Sequence, residues 1–409
     1  MSDAASRAIA ITGMGAISAF GEGAQTLWAG LREGRSGIRP LRHERAADLR
    51  VRVAAQVPED FDPAAHFSER QLSMLDRTSQ LALVAANEAI AQSGLDFAAD
   101  GLGLRTAVVV GTGVGGETTQ DEQSRRLYAE NASRLHPLSI VRLMTNAPAS
   151  QISMTHGLRG PAFAVASACA SANHAIAQAA MMIRAGLVDV AVVGGTEACL
   201  SFGAMRAWEA MRVLADDTCR PFSANRRGLV LGEGAGMFVL ESMAYARARG
   251  AQVLGVLAGV GMSADAGDIV APDAAGSASA MAQALADAGL SPGDIDYINA
   301  HGTGTPANDP TETRAIHRVF GTHAPRLAVS STKSMHGHAL GASGALELVA
   351  VLGAIRDGVV PPTANLDAPD PACDLDYVAN VPRQMRVRAA LSNSFAFGGL
   401  NAVLAVRAP

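Results

Sequence analysis

An ordered internal repeat is the sequence feature that most constrains the fold of this chain. Five segments of the first part resemble five segments of the second part, in the same order along the chain. The pairs are residues 85–95 with 279–290, 108–113 with 299–304, 163–167 with 327–331, 183–186 with 355–358, and 189–195 with 389–393. Chance similarity between segments rich in alanine and glycine is the alternative, but five matches in one order favour duplication.

The repeated segments alternate short apolar runs with longer stretches of helical periodicity. Such runs, bounded by glycines, are typical of strands buried in parallel sheets. We therefore predict an α/β protein of two similar units, residues 1–250 and 251–409. In a duplicated fold the corresponding turns of the two units face each other, so reactive residues on such turns are expected to converge.

Composition limits the functional classes. Hydrophobic residues make up 49% of the 409 residues and charged residues only 17%, below the usual quarter. A chain so poor in charge is expected to bury surface in an oligomer. The net charge of −5 argues against nucleic-acid binding and against a basic membrane-surface protein.

Cysteine usage and the absence of long apolar runs predict a cytoplasmic protein. The four cysteines form no C-x-x-C motif, so free thiols in a reducing compartment are the simplest account. No apolar run has the length of a membrane span. Arg7 and the apolar residues 8–12 weakly resemble a leader, but Gly13 and Gly15 favour a first strand instead.

Cys169 is the candidate nucleophile. It lies between an apolar run, residues 163–168, and a helical pattern, residues 174–184, which predicts a strand, a tight turn and a helix. The free N–H groups at a helix N-terminus favour a thiolate and can also hold an oxyanion. A lone cysteine among alanines is otherwise a small buried hydrophobe, and this segment alone leaves that alternative open.

Two glycine-rich turns of the second unit carry the other reactive side chains. His301 follows a short apolar run, and Gly302 and Gly304 allow close approach of backbone to a ligand. The second turn, residues 330–344, carries the reactive side chains Lys333, His336 and His338 and leads to Glu347 on the next helix. A phosphate loop is disfavoured because the order G-x-x-x-x-G-K-[ST] is missing. A metal site is disfavoured because no further ligand has a convincing spacing and Glu347 can pair with Lys333.

Two further glycine pairs follow apolar runs. Gly398 and Gly399 expose backbone N–H groups that can complete an oxyanion hole beside Phe397. Residues 111–116 are a poor dinucleotide fingerprint because the glycine spacing is wrong, so packing against a partner subunit is favoured.

These motifs together resemble those of the β-ketoacyl-acyl-carrier-protein synthases of the thiolase superfamily, from end to end. The motifs are Ile11–Gly15, Ser167–Ser171, Val230–Gly236, Ala300–Thr305, Ser330–Lys333, Gly337–His338 and Pro361–Asn365. Residues 158–161, 171–176 and 217–223 are most similar to synthases of the nodulation-protein-E and polyene kinds. The resemblance implies a thiolase-like fold, with two βαβαβαββ halves stacked in five layers, αβαβα.

The resemblance also implies a decarboxylative condensation in fatty-acid, polyketide or polyene biosynthesis. Cys169 would take an acyl chain from acyl carrier protein, while His301 and His338 assist decarboxylation of malonyl-carrier protein. Lys333 would act electrostatically, held by Glu347. No separate cofactor or metal is implied, because the substrates travel on the phosphopantetheine arm of the carrier.

The resemblance further implies where the substrate lies. The backbone N–H groups of Cys169 and Phe397 would form the oxyanion hole. Thr303 and Thr305 are implied to contact the phosphopantetheine arm. Phe397, Val114 and Trp208 are implied to line the acyl tunnel, with Phe397 as its gate. The implied partners are acyl carrier protein and a second subunit, in a homodimer or in a heterodimer with a chain-length-factor-like homologue.

Some positions depart from the family pattern. His336 stands where a small hydroxyl residue is common, and Leu400 replaces the usual threonine after the paired glycines. At the family's carrier-docking segments Arg70 and Arg134 are basic, but four other positions are not: Ser73, Met74, Leu135 and Asp217. The docking mode of the carrier therefore stays open.

Two alternatives from other classes are weaker. A non-catalytic partner subunit typically lacks the cysteine, whereas this chain has the complete set of Cys169, His301 and His338. A degradative thiolase uses a second cysteine as base, and residues 396–400 contain none.

Overall fold

The same strand order occurs twice in the computed structural model, which describes residues 8–409. The strands are β1 (Ile9–Ser18), β2 (Gly21–Glu22), β3 (Arg39–Pro40), β4 (Val53–Ala54), β5 (Thr106–Gly111), β6 (Ala162–Val165), β7 (Val190–Glu197), β8 (Gly234–Ser242), β9 (Gly255–Ala264), β10 (Tyr297–Asn299), β11 (Ala328–Ser330), β12 (Val359–Val360), β13 (Arg383–Gln384), β14 (Ala389–Ala396) and β15 (Leu400–Arg407). The α-helices are α1 (Ala24–Arg32), α2 (Glu69–Met74), α3 (Arg77–Ser93), α4 (Glu117–Tyr128), α5 (Ser139–Leu143), α6 (Ala147–His156), α7 (Ser171–Arg184), α8 (Phe202–Met211), α9 (Met243–Ala248), α10 (Ala274–Ala288), α11 (Asn308–Phe320), α12 (Lys333–His336) and α13 (Ser343–Asp357).

The topology confirms the predicted duplication. Across the sheet the first half has the order β6-β5-β7-β8-β1, and the second half has the equivalent order β11-β10-β14-β15-β9. With the helices between the strands, the second half follows the pattern βαβαβαββ, and the first half follows it with α8 inserted between its last two strands, β7 and β8. Strands β1 and β9 pair with each other antiparallel, which joins the two halves. The division at residue 250 stays a prediction.

The helices and sheets form five layers. Helices α7 and α13 each contact strands of both halves, whereas α3 covers the other face of the first half and α10 that of the second. Alternation along β5 fits this arrangement, because side chains of a strand point to opposite faces in turn. Ala107 and Val109 belong to the central core, and Val108 and Val110 belong to the outer core beneath α3.

The central helices position the reactive residues. In both halves the second, third and fourth strands of the unit are parallel, so their carboxyl ends meet at one edge. Short 3-10 turns, Ala168–Ala170 and Leu340–Ala342, precede α7 and α13 and contact each other. The turn of Cys169 and the turn of His338 therefore meet where the two halves contact each other.

The N-terminal strand agrees with the sequence prediction. Residues Ile9–Ser18 form β1, buried throughout. Arg7, the charged residue of the leader-like pattern, lies outside the described residues. Within residues 8–409, no helix combines the length and the apolar character needed to cross a bilayer.

Candidate active site

A sharp turn presents Cys169 at the start of α7. Ala168 has a φ of +47°, in the left-handed region that non-glycine residues rarely adopt. The Ser171 hydroxyl holds this turn, because it donates to the Ala168 carbonyl at 2.7 Å and accepts the Ser167 N–H at 2.9 Å. The predicted strand, turn and helix around Cys169 are present, but β6 is only partly buried in the single chain, and Cys169 lies in the 3-10 turn Ala168–Ala170 rather than in the first turn of the helix.

The Cys169 thiol is protonated at rest. Burial raises its pKa to about 12, although the Lys333 charge and the backbone N–H groups of Cys169 and Phe397 lower it. The predicted preference for a thiolate is therefore wrong for the resting structure, since loss of water outweighs the helix terminus. The two N–H groups nevertheless lie at the sulfur, where a predicted oxyanion hole requires them.

Strand β10 delivers His301 to the same place. The backbone N–H groups of His301 and Gly302 donate to the two carboxylate oxygens of Glu312, each at 2.8 Å. Asn393 donates to the same carboxylate at 3.1 Å. Glu312 is a residue that sequence reasoning missed, and its place eleven residues downstream on α11 gave no signal of this contact.

The second turn supplies His338 and a buried ion pair. His338 Nδ1 and the Ser343 hydroxyl lie 2.7 Å apart, which leaves His338 Nε2 buried and without a hydrogen-bond partner in the described structure. Lys333 is fully buried and forms an ion pair with Glu347, as the sequence predicted. Burial raises the pKa of Glu347 to about 7, and the Lys333 ammonium opposes that rise.

Three reactive side chains converge. The sulfur of Cys169 and one ring nitrogen each of His301 and His338 lie within 4.8 Å of one another. Burial, and then the Lys333 charge, hold the pKa of both imidazoles well below the usual value, so both are neutral. This is a neutral thiol beside two neutral imidazoles, a set that can transfer a proton and bind a carbonyl oxygen.

His336 does not belong to this cluster. Its Nε2 lies 2.9 Å from the Thr332 hydroxyl, and its side chain is buried. Burial, with the Lys333 charge, lowers the pKa of His336 to about 3. It is therefore a neutral buried side chain beside the ion pair.

A channel of about 190 Å³ leads to the cluster. Cys169, Thr303, Thr305 and Phe397 line it, together with Arg212 at the surface. The hydroxyls of Thr303 and Thr305 lie 2.9 Å apart. Of the predicted substrate-binding residues, these two threonines and Phe397 thus share one channel with the nucleophile.

The other residues predicted to line the acyl tunnel, Trp208 and Val114, do not line this channel. Trp208 stacks on Phe397 with ring centroids 6.1 Å apart, and both Trp208 and Leu400 pack on the apolar cluster around Cys169. Val114 does not line the channel, and 46% of it is exposed in the single chain.

Arg212 is the second residue that sequence reasoning missed. The family segments suggested Arg70 and Arg134, which are both exposed. Arg212, with a φ of +57°, lines both the channel and an adjoining surface cavity that also contains Arg50 and Arg227. Glu209 and Asp216 line the same cavity, and Asp216 pairs with Arg227 at 3.6 Å. The spacing of these arginines along the chain did not predict their proximity.

Comparisons with known proteins agree with this geometry. The family model for the β-ketoacyl synthase N-terminal domain matches residues 6–246, and the model for the C-terminal domain matches residues 254–367. Nodulation protein E of Rhizobium meliloti strain 1021 is 52% identical over 401 residues, which cover 98% of this chain and 99% of that protein.

Two further relatives extend the comparison. 3-Oxoacyl-[acyl-carrier-protein] synthase 2 of Synechocystis sp. strain PCC 6803 is 41% identical over 418 residues, covering 100% of this chain and 99% of that protein. The solved structure of the ishigamide ketosynthase/chain length factor is similar with a TM-score of 0.92 and 37% identity, covering 98% and 99% of the two chains. The predicted family and thiolase-like fold are confirmed: this chain belongs to the β-ketoacyl synthases and is a condensing enzyme of that family.

Proposed function

We propose that this chain condenses a Cys169-bound acyl group with malonyl-acyl-carrier protein, with loss of CO2. The observation that carries the proposal is the convergence of Cys169, His301 and His338 within 4.8 Å at the end of one channel. The carrier protein enters by analogy with the Synechocystis relative, whose name includes it. The four free cysteines fit a reducing cytoplasmic location.

In the first step Cys169 attacks the thioester carbonyl of acyl-carrier protein. Because the thiol is neutral, its proton moves to an adjacent imidazole as the carbon–sulfur bond forms. The backbone N–H groups of Cys169 and Phe397 hold the oxyanion. The tetrahedral intermediate collapses, the carrier thiol leaves with that proton, and the acyl group remains on Cys169.

In the second step the malonyl-bearing phosphopantetheine arm of the carrier protein enters the same channel. N–H groups of His301 and His338 donate to the malonyl thioester carbonyl, which stabilises the enolate formed when the carbon–carbon bond to the carboxylate breaks. The enolate carbon attacks the acyl-Cys169 carbonyl, the new carbon–carbon bond forms, and the carbon–sulfur bond breaks. The Cys169 thiolate then takes a proton from water. Lys333, fixed by Glu347, favours the transient negative charge.

The channel wall suggests how the substrate is held. We assign Thr303 and Thr305 to the phosphopantetheine arm because their hydroxyls lie in the channel that ends at Cys169. We assign Phe397 as the gate of the acyl tunnel, with Trp208 stacked on it. We assign Val114 to a part of the tunnel that the partner subunit completes. Arg212 at the channel mouth, with Arg50 and Arg227, is proposed to dock the acidic carrier together with Arg70 and Arg134.

An exposed apolar surface supports a dimer. Strand β6 lies at the edge of the sheet, where its outer backbone groups have no neighbouring strand in the described chain. Exposed large apolar side chains lie on the preceding segments, namely Leu127, Tyr128, Leu135, Ile140, Val141, Met144 and Met154. Exposed apolar side chains near an open sheet edge are typical of a surface that binds another chain. We propose that it binds a second copy or a chain-length-factor-like homologue, as in the ishigamide relative.

The test is acylation of the purified protein by a series of acyl-carrier thioesters of varied length and unsaturation, followed by intact-mass spectrometry. We expect one acyl group on the wild type and on the control Cys373→Ala, and none on Cys169→Ala. No acylation by any donor, alone or with a chain-length-factor-like homologue present, would contradict the proposal. The preferred donor separates ordinary fatty-acid elongation from polyene or nodulation-type chemistry.

The degradative alternative has less support. A thiolase needs a second cysteine near the nucleophile, and Cys169 is the only cysteine among the described residues that line the channel. The paired neutral imidazoles instead suit decarboxylation.

A further inference from the structure

The cluster of Cys169, His301 and His338 has a second chemical capability. We infer that it binds one zinc ion, and that zinc bound there closes the site reversibly by occupying the thiol. The binding stands on the geometry alone, whereas the inhibition rests on the function proposed above.

The ligand set suits zinc. Zinc binds thiolate and imidazole ligands in a four-coordinate tetrahedron, and sites open to small molecules have three protein ligands and a free fourth position. The three ligand atoms lie within 4.8 Å of one another. A tetrahedral ion with zinc–ligand distances of about 2.0–2.3 Å needs them about 3.5 Å apart, so small side-chain rotations complete the site.

The imidazoles are prepared for a ligand. One ring nitrogen of each imidazole lies in the cluster. His338 Nε2 is buried and has no hydrogen-bond partner among the described residues. The other nitrogen of His338 lies 2.7 Å from the Ser343 hydroxyl, the kind of outer contact that orients metal-bound histidines. A neutral imidazole carries one N–H and one lone pair, and zinc binding selects the tautomer whose lone pair faces Cys169.

The charges near the cluster and the channel that reaches it also allow a zinc ion to bind. Lys333 is the nearby cation, and its ion pair with Glu347 offsets its repulsion of a metal. The channel that ends at Cys169 provides an entry path. It also leaves the fourth coordination position open to a water molecule or to a carrier-bound thiol.

The binding step is an exchange without oxidation. The S–H bond of Cys169 breaks, a zinc–sulfur bond forms, and the proton passes to the buffer. One sulfur lone pair is then bound to zinc, and the ion stands in front of the sulfur at the end of the channel. Attack of Cys169 on a thioester or an alkylating reagent is therefore slowed. When a chelator removes the zinc, the Cys169 sulfur takes up a proton again and is available as the nucleophile.

The first experiment measures the metal directly. The full chain is dialysed against zinc chloride, and bound zinc is counted by mass spectrometry for wild type, Cys169→Ala, His338→Ala and the control Cys373→Ala. We expect one zinc per chain in wild type and control, and at least a tenfold loss of affinity in the other two variants. Magnesium, which prefers oxygen ligands, is expected not to compete.

The second experiment follows the thiol. Zinc is expected to slow alkylation of Cys169 by iodoacetamide at least tenfold, and EDTA is expected to restore the rate. Equal zinc binding by wild type and Cys169→Ala, or an alkylation rate that zinc leaves unchanged, would overturn the inference. Acylation in zinc-free buffer tests the proposed function separately, because it can fail while zinc still binds and protects the thiol.

Discussion

The turn after β6 corresponds to the turn after β11, because each follows the third strand of its unit and leads into a central helix. The first turn carries Cys169 and is held by a neighbouring hydroxyl, Ser171. The second carries the charged side chain Lys333 and then His338, in a wall with almost no exposure to solvent. One half thus supplies the nucleophile and the other half supplies the groups that handle protons and negative charge.

The turns after the second strands make the same contrast. After β5, the N–H groups of Gly113 and Val114 donate to the buried carboxylate of Glu197. After β10, the N–H groups of His301 and Gly302 donate to the buried carboxylate of Glu312. Both turns are therefore anchored by a carboxylate, but only the second carries a reactive side chain. Both halves of the duplicated fold have a carboxylate that anchors the turn, whereas the side chain that the turn presents differs between them.

The largest expected effect follows from this division of labour. His301→Ala removes a proposed donor to the enolate, so decarboxylation of malonyl-carrier protein should fall by about 10²–10³-fold. Cys169→Ala should abolish condensation but leave decarboxylation measurable, because the imidazoles are intact. Release of labelled CO2 and intact-mass acylation measure the two steps separately.

The surface variant His317→Ala is the matched control for the imidazoles, since His317 pairs with Asp374 far along α11. Equal losses of both steps in Cys169→Ala and His301→Ala would contradict a division of roles between the halves.

The next effect concerns the buried ion pair of the second half. Lys333→Met leaves Glu347 buried without its cation, and removal of one partner of such a pair costs about 3–5 kcal/mol of the free energy of unfolding. The double variant Lys333→Met with Glu347→Leu should lose less free energy of unfolding than the two single variants lose in total. Urea unfolding of the wild type, the two single variants and the double variant measures this coupling. If the losses of free energy are strictly additive, Lys333 and Glu347 do not stabilise each other.

The sequence predicted the fold better than it predicted the contacts of the site. The ordered repeat determined the strand–helix pattern because burial on both faces of a strand leaves a clear apolar signature in the sequence. The anchor Glu312 and the channel residue Arg212 were missed because their roles depend on packing between distant segments. The thiolate prediction for Cys169 failed for the same reason: local position suggested a helix terminus, whereas the pKa is governed by burial that only the folded chain shows.

A third carboxylate sharpens the comparison of anchors. Glu197 and Glu312 each accept several N–H donors, whereas Glu117 accepts only the Ser201 hydroxyl, and its Oε2 is buried without a partner in the described structure. Burial raises the pKa of Glu117 to about 7. The folded chain therefore holds this proton more tightly than the unfolded chain, and the contribution of Glu117 to stability falls as pH rises from about 4.5 through 7.

Glu117→Gln removes that titration, so it should raise the free energy of unfolding at pH 8 by about 1–3 kcal/mol and change it little at pH 5. Urea unfolding at the two pH values, with the exposed Glu69→Gln as control, measures the difference. An equal effect of Glu117→Gln at both pH values would show that its proton is held no more tightly in the folded state.

The smallest expected effect lies at the channel mouth, outside both sets of reactive turns. Arg212→Glu should raise the KM for malonyl-carrier protein about two- to fivefold with little change in kcat, because exposed charges act on encounter more than on chemistry. The effect should shrink as salt rises, since salt screens exposed charges. Arg326→Glu makes the same change of net charge at an exposed position that lines neither the channel nor the adjoining cavity, and is the control. If both variants raise KM equally, net charge rather than a docking surface attracts the carrier, and the cavity of Arg50, Arg212 and Arg227 has no special part in docking.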